Sequence, residues 1–119
     1  MTTLILGASD KKERYSHKAL RMLLEHGHQV ALVHPSLNSV DGIPVSHAMT
    51  DIKPPIDTVT VYVSASISDG LAEEFLKIKP RRVIFNPGAE NPRLSRVLRA
   101  NSISTIDACT LVLLQTNQY

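Results

Sequence analysis

Five short runs of apolar and β-branched residues punctuate the chain: TTLIL (2–6), HQVALVHP (28–35), DTVTVYV (57–63), RRVIF (81–85) and ISTID (103–107). Their apolar positions are largely contiguous, the pattern of strands covered on both faces. Gly7 ends the first run, and Pro35, which cannot donate to a sheet ladder, ends the second. Between the runs the period changes. From Ser16 to His26 the residues Ala19, Leu20, Leu23 and Leu24 recur at i, i+1, i+4 and i+5, one helical stripe that Gly27 stops. The stretch 66–79 (SISDGLAEEFLKIK) reads as one helix with Ser66 or Ser68 as cap and acids in its first half, closed by Pro80. ENPRLSRVLRANS (90–102) reads as another, with Asn91 at the N-cap and Pro92 at the first helical position. ACTLVLLQTNQ (108–118) forms a short terminal helix. Residues 36–55 are irregular: a turn around 38–42, a short extended IPV (43–45), one helical turn at 47–52, then Pro54 and Pro55.

Strands alternating with helices predict an α/β fold, a doubly wound five-stranded parallel sheet in the order 3-2-1-4-5 with helices on both faces. In such sheets ligands bind beyond the carboxyl ends of the strands, beside the first. The loops that matter are then 7–16, 34–42, 64–68, 86–91 and 107–110.

Composition narrows the reading. With 119 residues, 43% of them apolar, the chain has room for one domain spanning 1–119. Such a domain buries roughly two-thirds of its unfolded surface. Thirteen Lys and Arg against eleven Asp and Glu leave a charge of +2, too small for a nucleic-acid partner held by phosphate neutralisation. One cysteine provides no disulfide framework and no CxxC metal site, and no spacing of histidines or carboxylates suggests a metal. No export signal or membrane-spanning run is apparent, so the cytoplasm is the expected location and no membrane partner is expected.

The first loop carries the chemistry. Where a dinucleotide fingerprint G-x-G-x-x-G would place three glycines, this chain has Gly7, Ser9 and Lys12. Lys11, Lys12, Arg14, His17 and Lys18 surround the start of the first helix, and cations there oppose the helix dipole. Each exposed one costs about 0.3–1 kcal/mol, a sign that reverses when a phosphate sits on the helix end. Ser9 and Ser16 add hydroxyls, Ser16 doubling as a candidate cap. A solvated basic loop offset by Asp10 and Glu13 is the competing account. At the end of the second strand a NAD site would place an acid, and an NADP site a basic residue; the chain has VHPSLN (33–38), with only His34 available. Hydride-transfer chemistry is therefore disfavoured. Glu90 and Asn91 read as helix-opening residues, and Cys109 as a small buried apolar side chain rather than a nucleophile.

LILGAS (4–9), Arg14, YS (15–16), LLEHGHQVALVHP (23–35), Gly42, DIKPPIDTVTVYV (51–63), FNPGAENP (85–92) and Cys109 together resemble the small stand-alone CoA-binding proteins. They are similar to the CoA-binding domain of the succinyl-CoA synthetase α subunit, a Rossmann-like domain. The resemblance implies coenzyme A or an acyl-CoA as ligand. It puts the pyrophosphate over Gly7, Ala8 and Ser9, with Lys12, Arg14 and Ser16 nearby. Val33, His34 and Pro35 match the adenosine end, Ser64 and Ser66 follow the third strand, and Asn86 and Gly88 lie beside the pantetheine path. The family commonly has Asn where His34 stands.

The function this implies is CoA binding by a sensor or accessory module without catalysis of its own. The synthetases carry a phosphorylated histidine on a second domain with no counterpart in this sequence, which argues against a synthetase. Two alternatives stay open: a small NAD(P)-dependent oxidoreductase-like protein, and a Rossmann-like scaffold without ligand. A protein partner or a homodimer is also open, since the apolar LVLL (111–114) covers either an interface or, more simply, the sheet.

Overall fold

The computed structural model describes residues 1–119. Its strands are β1 (Thr2–Leu6), β2 (Gln29–Val33), β3 (Ser39–Val40), β4 (Ile43–Ser46), β5 (Thr58–Val61), β6 (Arg82–Phe85) and β7 (Ser104–Asp107). They form one sheet in the order β3-β4-β2-β1-β5-β6-β7, parallel throughout except for the β3–β4 hairpin. The expected α/β, Rossmann-like architecture is present, but two details of the expectation are corrected. The sheet has seven strands rather than five, because the segment read as irregular folds into a hairpin whose IPVS strand pairs with β2 through Leu32↔Val45 and Val33↔Ser46. The order 3-2-1-4-5 does not hold, because β4 takes the place beside β2, and the third of the five predicted strands, β5, pairs with the other edge of β1.

The helices are α1 (Tyr15–Glu25), α2 (Ala65–Ser68), α3 (Ala72–Ile78), α4 (Pro92–Ala100) and α5 (Thr110–Gln115). The single helix expected over 66–79 is split: α2 gives way to a 3-10 turn at Asp69–Leu71 before α3 begins. Neither Ser66 nor Ser68 is the cap; Ser64 holds that position, with no hydrogen bond from its side chain to the helix. Asn91 does cap α4, its Oδ1 accepting from the Leu94 N–H at 3.0 Å.

Strand alternation sorts the core onto two faces. Leu4 and Leu6 join Val59, Val61, Val83, Phe85, Phe75, Leu94 and Leu98 under α3 and α4. Ile5 joins Leu20, Leu23, Leu32 and Leu114 under α1 and α5, so the apolar terminal helix covers the sheet beside α1. No helix is long and apolar enough to cross a membrane.

Candidate functional site

The register brings the strand exits into one line. Leu6 pairs with Val33 and with Val61, Val61 with Phe85, and Phe85 with Asp107. The loops after β1, β2, β5, β6 and β7 therefore emerge along a single edge, the carboxyl edge of the parallel strands. The chain reverses its direction of travel across the sheet at β1, between β2 and β5, which puts the switch-point crevice there.

Gly7 makes the turn out of β1. Its φ of +94° is one that side-chain-bearing residues rarely adopt, and an added Cβ would lie 2.9 Å from Val63 Cγ1. The close approach that excludes a side chain is thus to the end of β5. The N–H groups of Gly7 and Ala8 both donate to the Val33 carbonyl, at 3.0 and 3.1 Å, stitching the loop to β2. Ala8 itself is buried in the core under α1. These two residues shape the loop, and the backbone donors that face no carbonyl begin at Ser9 and Asp10.

Beside this turn lies a cavity of about 150 Å³. Gly7, Val33, His34 and Pro35, all singled out in the sequence, line it together with Val63, Met49, Ile67 and Leu71. It is smaller than the roughly 300–1,000 Å³ of pockets that enclose whole drug-sized ligands, and so has room for one ring system. Three polar side chains border it, each pinned by backbone. His34 Nδ1 accepts from the N–H groups of Ser36 and Leu37, both at 3.0 Å. His47 Nε2 lies 3.2 Å from the Leu37 carbonyl, and Glu74 Oε1 accepts from the Met49 N–H at 3.2 Å. Met49, Glu74, Ile67 and Leu71 were not flagged in the sequence. Met49 enters on a 3-10 turn within the irregular segment, and Glu74 reads in the sequence as one of the ordinary acids in the first half of a helix over 66–79, whereas it stands in the first turn of α3.

The cationic loop borders a different region. Lys12 lines an open groove of about 600 Å³ along α1 with His17, Lys18, Arg21 and Asp41. Asp41, at the tip of the β3–β4 hairpin, lies 2.9 Å from the buried His17 Nε2 and 3.7 Å from Arg21, tying the hairpin to α1. Lys11, Lys12, Arg14 and Lys18 have no carboxylate within 4.0 Å. Lys18 Nζ sits 5.4 Å above the centre of the exposed Tyr15 ring. The start of α1 has neither an acid in its first turn nor a side-chain cap from Arg14, whereas α3 opens on Glu73 and Glu74 and α4 is capped by Asn91. The uncompensated positive end of α1 and the free cations reinforce one another, an arrangement suited to an anion. Ser9 Oγ is engaged by the Lys11 N–H at 3.1 Å, and Ser16 is buried in the first turn.

The remaining predicted positions divide. Ser64 is exposed at the same edge, its hydroxyl 2.9 Å from that of Ser66. Gly88, at φ +90°, forms an exposed turn whose N–H donates to Glu90 Oε1 at 2.9 Å. Asn86, expected beside a pantetheine, is instead 2% exposed with its amide fully used. Its Nδ2 donates to Thr60 Oγ1 at 2.7 Å and to the Val61 carbonyl at 2.9 Å, and its Oδ1 accepts from the Thr110 N–H at 2.9 Å. Asn86 braces the start of α5 against β5 and offers nothing to a ligand. Cys109 is half-buried at the N-cap of α5. Nearby, the Tyr62 hydroxyl is buried without a hydrogen-bond partner, and burial pushes its pKa up to about 12.

A family model described as the CoA binding domain matches residues 1–115. YneT of Bacillus subtilis (strain 168), an uncharacterized protein, is 27% identical over 109 residues, which are 91% of this chain and 81% of YneT. The crystal structure of another uncharacterized protein superposes with a TM-score of 0.89 at 35% identity, covering 99% of this chain and 97% of its own. The dinucleotide-forming acetyl-coenzyme A synthetase 1 of Ca. Korarchaeum cryptofilum shares the fold alone, at 17% identity and a TM-score of 0.74. The match covers 90% of this chain and 25% of that enzyme.

Proposed function

Since the chain belongs to the CoA-binding domain family, we propose that it binds coenzyme A or an acyl-CoA at the carboxyl edge of the sheet, as a cytoplasmic sensor or accessory module. The observation that carries this reading is the pairing, across one loop, of a ring-sized apolar cavity with a cluster of unpaired cations. CoA has both parts in one molecule: an aromatic base, and a pyrophosphate and 3′-phosphate that need several positive charges. The residues fit such a ligand. Val33, His34, Pro35, Val63 and Met49 would enclose the adenine, while Ser9, Lys12, Arg14 and the opening of α1 would hold phosphates. Ser64 and Gly88 lie along the edge where the pantetheine arm would run. Bound CoA would supply a thiol or thioester as the group presented to a partner protein, and no residue at this edge is assigned a catalytic part.

A NAD(P)-dependent oxidoreductase has less support. β2 ends at Val33 and is followed by His34 and Pro35, so the strand's end carries no acid where a NAD site holds the ribose hydroxyls. The direct test is the variant Lys12→Ala/Arg14→Ala. Both side chains are exposed and unpaired. Thermal stability should therefore hold while CoA affinity falls at least tenfold, about 1.4 kcal/mol, with a shallower salt dependence. Unchanged affinity would remove the phosphates from this loop.

A further inference from the structure

We propose that His34 and Glu74 form a donor–acceptor pair that reads the edge of the bound base and selects a 6-aminopurine over a 6-oxopurine. The inference rests on the CoA reading above and adds base selectivity to it. His34 Nδ1 accepts two backbone N–H groups, from Ser36 and Leu37, both at 3.0 Å. A nitrogen whose lone pair faces two donors cannot carry a proton, so the ring is the neutral tautomer with its hydrogen on Nε2. The two contacts also fix the ring plane. Nε2–H has no partner within the protein, which leaves a preset donor on a ring that borders a mostly apolar cavity. Glu74 lines the same cavity and is fixed in the complementary way. Its Oε1 accepts the Met49 N–H at 3.2 Å, and Oε2 is left as an acceptor.

An adenine edge matches this pair on either side. N6–H₂ donates and N1 or N7 accepts, so the amine addresses the carboxylate and the ring nitrogen addresses Nε2–H. A 6-oxopurine held in the same orientation by its ribose and phosphates turns the amine into an acceptor, which faces the carboxylate with like polarity, and on its Watson–Crick edge N1 becomes a donor that faces Nε2–H. Hydrogen bonds to charged groups carry enough free energy to make the discrimination about 10- to 100-fold.

The experiment titrates the whole chain with CoA, adenosine 3′,5′-bisphosphate and inosine 3′,5′-bisphosphate. The wild-type protein should bind the adenosine compound at least tenfold more tightly than the inosine compound. Glu74→Gln preserves the contact to Met49 through its carbonyl and turns an amide N–H₂ toward the base, so the preference should collapse or invert. In His34→Asn the side-chain oxygen still accepts the Ser36 and Leu37 N–H groups while the far donor is lost. That variant should melt at the wild-type temperature and bind the adenosine compound about tenfold more weakly. If CoA binds but the two bisphosphates bind equally, or if Glu74→Gln leaves their ratio unchanged, the pair does not read the base and the CoA reading stands. If neither CoA nor either bisphosphate binds, the CoA reading falls and this inference with it.

Discussion

Replacing Asn86 by alanine separates a structural role from a ligand-binding one. The amide sits 2% exposed between β5 and the start of α5 and makes three contacts. Two are donated, to Thr60 Oγ1 and the Val61 carbonyl; both acceptors keep another partner, the Thr110 hydroxyl at 2.8 Å and the Asn86 backbone N–H at 3.3 Å. The third contact has no substitute. Thr110, fully buried, donates its N–H to Asn86 Oδ1, and in the alanine variant that donor faces apolar surroundings. An orphaned buried donor costs about 1–3 kcal/mol, and the space left by the amide adds about 1 kcal/mol. The total is about 2–4 kcal/mol, or a fall in melting temperature on the order of 10 °C for a chain of this size. Urea titration followed by circular dichroism measures it as a lower midpoint at unchanged slope. CoA titrated into the variant well below its melting temperature should bind with near wild-type affinity. A loss of stability under 0.5 kcal/mol, or lost CoA binding in a protein of undiminished stability, would refute the assignment.

Three further outcomes are expected. Gly7→Ala combines an unfavourable positive φ with a Cβ 2.9 Å from Val63 Cγ1, a residue that also walls the cavity. It should lower stability by about 1–3 kcal/mol in thermal unfolding and weaken CoA binding in the same preparation. Burial holds the Tyr62 pKa near 12, above the ordinary value of 10.0, so the stability tied to its neutral form is intact below pH 10 and lost as pH rises toward 12. Burial raises the Tyr119 phenol as well, so spectrophotometric titration should show late ionisation from both, and Tyr62→Phe, which deletes a hydroxyl without a hydrogen-bond partner, should remove the step near 12 and leave that of Tyr119, without destabilising the fold at neutral pH. The Arg81 guanidinium, 2.7 Å from Asp57 Oδ1, holds the Asp57 carboxyl below its usual pKa; the associated stability is present above that usual pKa and lost as pH falls through the lower folded one. In Arg81→Met the acid limb of the stability profile should flatten, as read from urea midpoints between about pH 2 and pH 5.

Much of the frame was legible because central parallel strands are apolar on both faces. TTLIL, QVALV, TVTV and RVIF advertise themselves without help from their neighbours, and Asn91-Pro92 announces a helix start by local chemistry alone. The β3–β4 hairpin hid because its strands are two and four residues long and one contains Pro44, so pairing with β2 rather than composition makes it a strand. Missing it also disguised the strand order. Within the site, Gly7, Val33, His34 and Pro35 were visible as strand-end residues and do share one cavity. Asn86 occupies the same kind of position and was indistinguishable from them until its partner Thr110, 24 residues away, was placed beside it. Met49 and Glu74 were hidden for the same reason: their mutual contact spans 25 residues and has no local signature.

The measurement that tests the central claim most directly is isothermal titration of ligand-stripped protein with CoA, dephospho-CoA and NAD in one buffer. The account predicts saturable binding of CoA, weaker binding of dephospho-CoA because the cations around Lys12 and Arg14 lose the 3′-phosphate, and little or none of NAD. Saturation by NAD with no heat from CoA would contradict it in favour of a redox nucleotide site, and no binding of any of the three would leave a Rossmann-like scaffold whose basic loop holds no ligand.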